Sequence, residues 1–297
     1  MRAPIGESIL RLWNESGASS LFVVGTGKNV GKTVAMRAIY RACIDQGFTC
    51  ALTSIGRDGE AVDMGDAAPK PRLWLEPSTV VATARDVLPH SPASELLGLT
   101  PHHTAAGALV YARVRAGAFY ELIGPPSASA LRAVVNDLSA FAQRTLVDGA
   151  VDRIAALAGG NDAIVVSCGA GAAQTMSEAV DDVSALVIRL CTPPFAGGDA
   201  RRIEGALTPA TVAQLIREGE KRAVVVRDPT QIALRGKAAL HAFERLTIRC
   251  ERPLRVIAAT VASIGRNRVF EPRAFARDVA RATGLPTFDV YAAERAA

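Results

Sequence analysis

Aromatic residues are scarce in this chain of 297 residues, at 5%, although 49% of it is hydrophobic. The apolar content is mostly Ala, Val, Leu and Ile. That argues against an aromatic-rich β-sandwich and for helices packed on a buried sheet. Cysteines are few and scattered, at Cys43, Cys50, Cys168, Cys191 and Cys250, and none forms C-x-x-C. Their odd number fits reduced, mostly buried thiols. No block of about five or more like charges occurs. The net charge of +5 is spread over many arginines, so a nucleic-acid surface, which needs clustered charge, is not expected. No apolar run approaches ~18 residues, and no basic-then-apolar segment opens the chain. A cytoplasmic protein without membrane contact is the expectation.

Strand and helix patterns alternate along the chain. "LFVV" (Leu21 to Val24) reads as a buried strand, Val30 to Cys43 as a helix, and "FTCALTSI" as a second strand. A Gly-, Asp- and Pro-rich stretch, "GRDGEAVDMGDAAPKP", follows as a loop. "RLWLEPSTVVATA", "GALVYARVRAG" and "FYELIGPP" read as strands, and "SPASELLGLTPHH" as a connector. From "ASALRAVVNDLSAFAQ" onward, helices alternate with strands to "PTFDVYA". The fold expected is α/β, a mostly parallel sheet with helices on both faces and a β-rich elaboration after the second strand. One domain over residues 1–297 is expected, with 56–126 as an inserted elaboration.

Between the first strand and the first long helix lies "GTGKNVGKT", Gly25 to Thr33. A phosphate cradle needs inward backbone N–H groups, glycines where side chains would collide, and a cation. Gly25 and Gly27 allow a tight departure from the strand. Gly31 lets backbone approach an anion, Lys32 can reach the β- and γ-phosphates, and the Thr33 hydroxyl can sit on Mg²⁺. Thr26, Lys28, Asn29 and Val30 complete the loop. In the general pattern G-x-x-x-x-G-K-[ST], the first glycine would fall at position 26, which is Thr26; here it comes one residue early, at Gly25.

That early glycine makes "GTGKNVGKT" resemble the loop of dethiobiotin synthetase and the related cobyrinate amidating enzymes, a branch of the P-loop NTPases. The resemblance implies a P-loop NTPase fold, ATP and Mg²⁺, and a homodimer. It departs from the synthetase at Gly27 and Asn29, where the synthetase carries acids, and in "TSIGRDGE", which has no lysine. A second resemblance rests on "GKNVGKT", "LTSIGRDGE", "KPRLWL" and "LVDGAVDR" together. This combination is similar to P-loop proteins associated with adenosylcobamide-dependent lysine 5,6-aminomutase, regarded as reactivase subunits. It implies an aminomutase as partner enzyme.

A Mg·nucleotide site also needs a carboxylate at a neighbouring strand end. Asp148 in "TLVDG" is the first candidate; the alternative is a turn aspartate before Gly149. Asp58 and Glu60 in "GRDGE" are candidates to bind Mg²⁺ or orient water, and Arg57 and Arg153 to steady phosphate charge. Each has a solvated loop charge as its alternative. "CGAG" (Cys168 to Gly171) offers either backbone donors or a plain tight turn, and Cys168 has no evident activating base. Lys32, Asp148 and Asp58 are thus the catalytic candidates, and Thr33, Asp148 and Asp58 the metal candidates. The expected function is a Mg²⁺-dependent ATPase serving a partner enzyme. The alternatives are an ATP-dependent carboxylate ligase and a non-hydrolysing nucleotide-binding module.

Overall fold

The structure is a computed structural model that describes residues 4–55, 72–89, 92–104, 106–149, 157 and 160–291. The chain is α/β and divides into two compact units. One comprises Met1–Val23 and Thr33–Ala156, the other Val24–Lys32 and Leu157–Ala297.

The first unit opens with helix α1 (Ile5–Ser16), strand β1 (Ser20–Gly25, its last two residues in the second unit), helix α2 (Lys32–Asp45) and strand β2 (Cys50–Ser54). Five more strands follow: β3 (Leu73–Leu75), β4 (Val80–Ala84), β5 (Ser94–Thr104), β6 (Gly107–Val114) and β7 (Ala118–Tyr120). Helix α3 (Ala128–Leu138) and strand β8 (Arg144–Asp148) complete it. Strand β8 lies parallel between β1 and β2, and β2 pairs in parallel with β4. From β4 the pairing turns antiparallel, to β6 and then to β5. Strands β3 and β7 form a separate antiparallel ribbon.

Every residue of β1, β2 and β4 is buried, as expected of strands covered on both faces. Helix α3 covers part of this sheet, with Val134 and Leu138 packed on Ala51, Val80, Ala82 and Leu109. Helix α1 buries Ile9, Leu10 and Trp13. It lies so close to α2 that a Cβ on Gly6 would stand 2.1 Å from the Ala38 carbonyl oxygen. Tyr40 on α2 ties the helix to the turn before β4. Its hydroxyl lies 2.7 Å from Thr79 Oγ1 and accepts from the Glu76 N–H at 2.8 Å. Tyr40→Phe should leave that N–H without its acceptor and lower stability by about 1–3 kcal/mol, read from denaturant unfolding.

The second unit is a run of strand–helix repeats. It comprises β9 (Asp162–Gly169), α4 (Met176–Leu190), β10 (Ala200–Arg202), α5 (Pro209–Arg217), β11 (Ala223–Val226), α6 (Gly236–Arg245), β12 (Ile248–Cys250), β13 (Arg255–Ala262), α7 (Pro272–Thr283) and β14 (Thr287–Asp289). Strands β9, β13 and β14 are parallel neighbours, and β10, β11 and β12 form a second parallel set. Most of the helix starts are capped by side chains that accept backbone N–H groups: Thr175 for α4, Thr208 for α5 and Glu271 for α7.

Three sequence expectations change here. "SPASELLGLTPHH" is not a connector: Ser94–Thr104 is an 11-residue strand. Its pairing partner is β6, and register irregularities fall between Leu96 and Gly98 and between Leu99 and His103. Pro101 lies in this second irregular stretch, where a missing N–H is tolerated. Helix α2 starts at Lys32 rather than Val30, because Asn29 and Gly31 take left-handed φ values of +57° and +83°. Strands β10 and β12 had no counterpart in the sequence reading; at three residues each they are too short to show a period. Among the described residues, no helix is long and apolar enough to cross a membrane.

Candidate functional site

The loop Gly25–Lys32 belongs to the second unit and is held there by backbone contacts. The Thr26 N–H donates to the Ser167 carbonyl of β9 at 2.9 Å. Lys32 folds back across the loop, its Nζ donating to the Gly27 carbonyl at 2.8 Å. Left-handed Asn29 and Gly31 flank Val30, which is buried. Turns of alternating hand aim successive N–H groups toward one side and create an anion-binding concavity.

The glycines now have separate reasons. Gly31 needs its positive φ, and a Cβ there would also meet the Ala262 Cβ of β13 at 2.9 Å. Gly25 is a packing glycine. A Cβ on it would stand 2.7 Å from Val30 Cγ2 and 3.0 Å from the Ser167 carbonyl oxygen. The early glycine therefore lets the loop lie directly on the end of β9.

"CGAG" supports the loop from beneath. A Cβ on Gly171 would fall 2.5 Å from the Asn29 carbonyl oxygen. The Ala170 N–H donates to the Ala262 carbonyl at 3.0 Å and the Ala172 N–H to that of Gly169 at 3.2 Å. One N–H group of this stretch, that of Ala170, and that of Ala172 just after it are thus spent inside the protein, which favours the tight-turn reading. Cys168 is fully buried, and burial raises its thiol pKa, so it is no nucleophile at neutral pH. "SIGRNR" folds as a small hairpin, closed by the Ile264–Val269 bridge and by the Gly265 N–H donating to Arg268 at 2.8 Å. These supports escaped sequence reading. Only the small residues Gly169, Gly171 and Ala262 hinted at them.

Thr33 is half-buried in the first turn of α2, in the first unit. Asp148, also half-buried, ends β8 in that unit. It stands in register with Val23 of β1 and Ser54 of β2, and the Gly149 N–H donates to the Val23 carbonyl at 2.9 Å. Asp148 therefore sits at the end of the strand beside β1, the strand that feeds the loop. Asp58, Glu60, Arg57 and Arg153 lie outside the described residues.

Charge at the start of α2 runs against helix stability. A helix N-terminus favours negative groups, and its first N–H groups need acceptors. The first turn of α2 carries no acid, while Lys32 opens it and Lys28 precedes it. An oxyanion seated there would answer both the cations and the N–H groups. No family model matches this chain, and neither does any curated protein or any solved structure, so its function has to be read from this loop and its surroundings.

Proposed function

We propose that this chain is a Mg²⁺-dependent P-loop ATPase whose nucleotide state acts on a partner enzyme. The observation that carries the reading is Lys32. Its ammonium is held over a loop with left-handed Asn29 and Gly31, at a helix start that has cations and no acid. In this reading Lys32 neutralises the β- and γ-phosphate oxygens, and the N–H groups of Lys28 to Thr33 cradle them. The Thr33 hydroxyl and the Asp148 carboxylate are suitable hard oxygen donors for Mg²⁺, which would supply charge neutralisation to the phosphates. Asp58 remains the candidate for orienting the attacking water.

The partner is proposed to be a cobamide-dependent aminomutase, on the similarity of "GKNVGKT", "LTSIGRDGE" and "LVDGAVDR" to the reactivase subunits. A cytoplasmic homodimer belongs to the same proposal. Phosphate release from ATP, measured with Mg²⁺ and the full chain, tests it in three arms. Release that rises when the aminomutase is added is the expected result. Release that needs a small carboxylate instead would favour a ligase of dethiobiotin synthetase type. Tight ATP binding with no turnover in any arm would leave a regulatory module, and absence of ATP binding would overturn the reading altogether.

A further inference from the structure

Three backbone segments of the second unit lie against one another with no space for a side chain between them. They are the loop at Asn29, the turn at 170–172 after β9, and the hairpin closed by the Ile264–Val269 bridge. A Cβ on Gly171 would stand 2.5 Å from the Asn29 carbonyl oxygen and 3.0 Å from the Asn29 Cβ. A Cβ on Gly265 would stand 2.8 Å from the carbonyl carbon and oxygen of Ala170 and from the Gly171 nitrogen. Neither glycine takes a left-handed φ, so close approach, not conformation, is what requires glycine at these two places.

The turn is better anchored than the loop it meets. The Ala170 N–H donates to the Ala262 carbonyl at 3.0 Å, and Arg268 Nη1 of the hairpin donates to the Ala173 carbonyl at 3.4 Å. The hairpin is fixed at its foot. There the Phe270 N–H donates to the Ser263 carbonyl at 2.9 Å, and the Phe270 ring stands edge-on to Phe275 of α7, with centroids 5.2 Å apart. Asn29, by contrast, is exposed. A collision between turn and loop is therefore relieved by the loop.

The Asn29 carbonyl and the Val30 N–H belong to one rigid peptide plane and point opposite ways. Whatever holds the oxygen also sets the aim of that N–H, which lies in the concavity between left-handed Asn29 and Gly31. We infer that Gly171 and Gly265 are positioning residues of the nucleotide site: the hairpin sets the turn, and the turn sets the Asn29–Val30 peptide of the phosphate cradle. This inference rests on the nucleotide reading of the loop. It adds that the cradle is shaped by residues remote in sequence that touch no phosphate.

Calorimetric titration of the full chain with Mg·ATP, well below the Tm of each variant, tests it. Gly171→Ala pushes directly on the Asn29 oxygen and should weaken binding roughly 10–100-fold, the scale of a displacement of about 1 Å. Gly265→Ala acts through the turn and should weaken it roughly 3–10-fold. The double variant should lose less than the product of the two, because both displace the same peptide. Val224→Ala, a cavity in the core around β11, is the control for general loosening of this unit. It should lower Tm yet leave Mg·ATP affinity unchanged within about twofold. Wild-type affinity in Gly171→Ala would overturn the inference while leaving the nucleotide reading intact, and so would an equal loss in Val224→Ala. Should Gly171→Ala fail to fold, Gly265→Ala decides alone, and wild-type affinity there has the same consequence. Absence of Mg·ATP binding by the wild type would overturn the nucleotide reading and this inference with it.

Discussion

Lys32→Ala is expected to weaken Mg·ATP binding roughly 10–150-fold, the equivalent of about 1.5–3 kcal/mol for a hydrogen-bonded charge. Calorimetric titration at fixed Mg²⁺ measures it. Stability without nucleotide should move the other way or not at all. The side chain is half-buried and makes its 2.8 Å bond to the Gly27 carbonyl at a helix start, where a cation is unfavourable. A Tm in the absence of ligand that is unchanged or slightly higher is therefore expected. An affinity for Mg·ATP equal to that of the wild type would remove Lys32 from the site and, with it, the ATPase reading.

Gly124→Ala should have the largest effect on folding. A Cβ there would stand 1.5 Å from the Ser54 carbonyl oxygen and 2.5 Å from its carbon, both backbone atoms. Neither can turn aside as a side chain could. Gly124 belongs to a segment stitched to two strand ends. Its N–H donates to Ser54 Oγ at 3.0 Å, and Ser54 Oγ donates to the Leu122 carbonyl at 2.9 Å. Next to it, the Ile123 N–H donates to Thr83 Oγ1 at 2.9 Å, and Thr83 Oγ1 donates to the Glu121 carbonyl. Forcing this apart should cost about 3 kcal/mol or more, visible as an early urea transition. Gly98→Ala is the matched control. Its Cβ would meet only Tyr111 Cδ2, at 3.9 Å, and should shift stability by no more than about 0.5 kcal/mol.

The loop and the first α/β turns were legible because their signals are local. "LFVV", "CALTS", "TLVD" and "AIVVSC" are short apolar runs between glycines or polar residues, and each became a buried strand. The edge strand Ser94–Thr104 was not legible. Gly98 and Pro101 argue for a loop locally, and only pairing with Gly107–Val114 makes a strand of it. Strands β10 and β12, of three residues each, likewise exist only as neighbours of β11.

By itself, then, the sequence determined the α/β alternation and a glycine-rich loop with Lys32 and Thr33 at a helix start, since both follow from residue type and spacing along the chain. Tertiary structure alone decided what the early Gly25 is for. The loop rests on Ser167, Gly171 and Ala262, residues more than a hundred positions away, and close backbone approach leaves no room for a side chain.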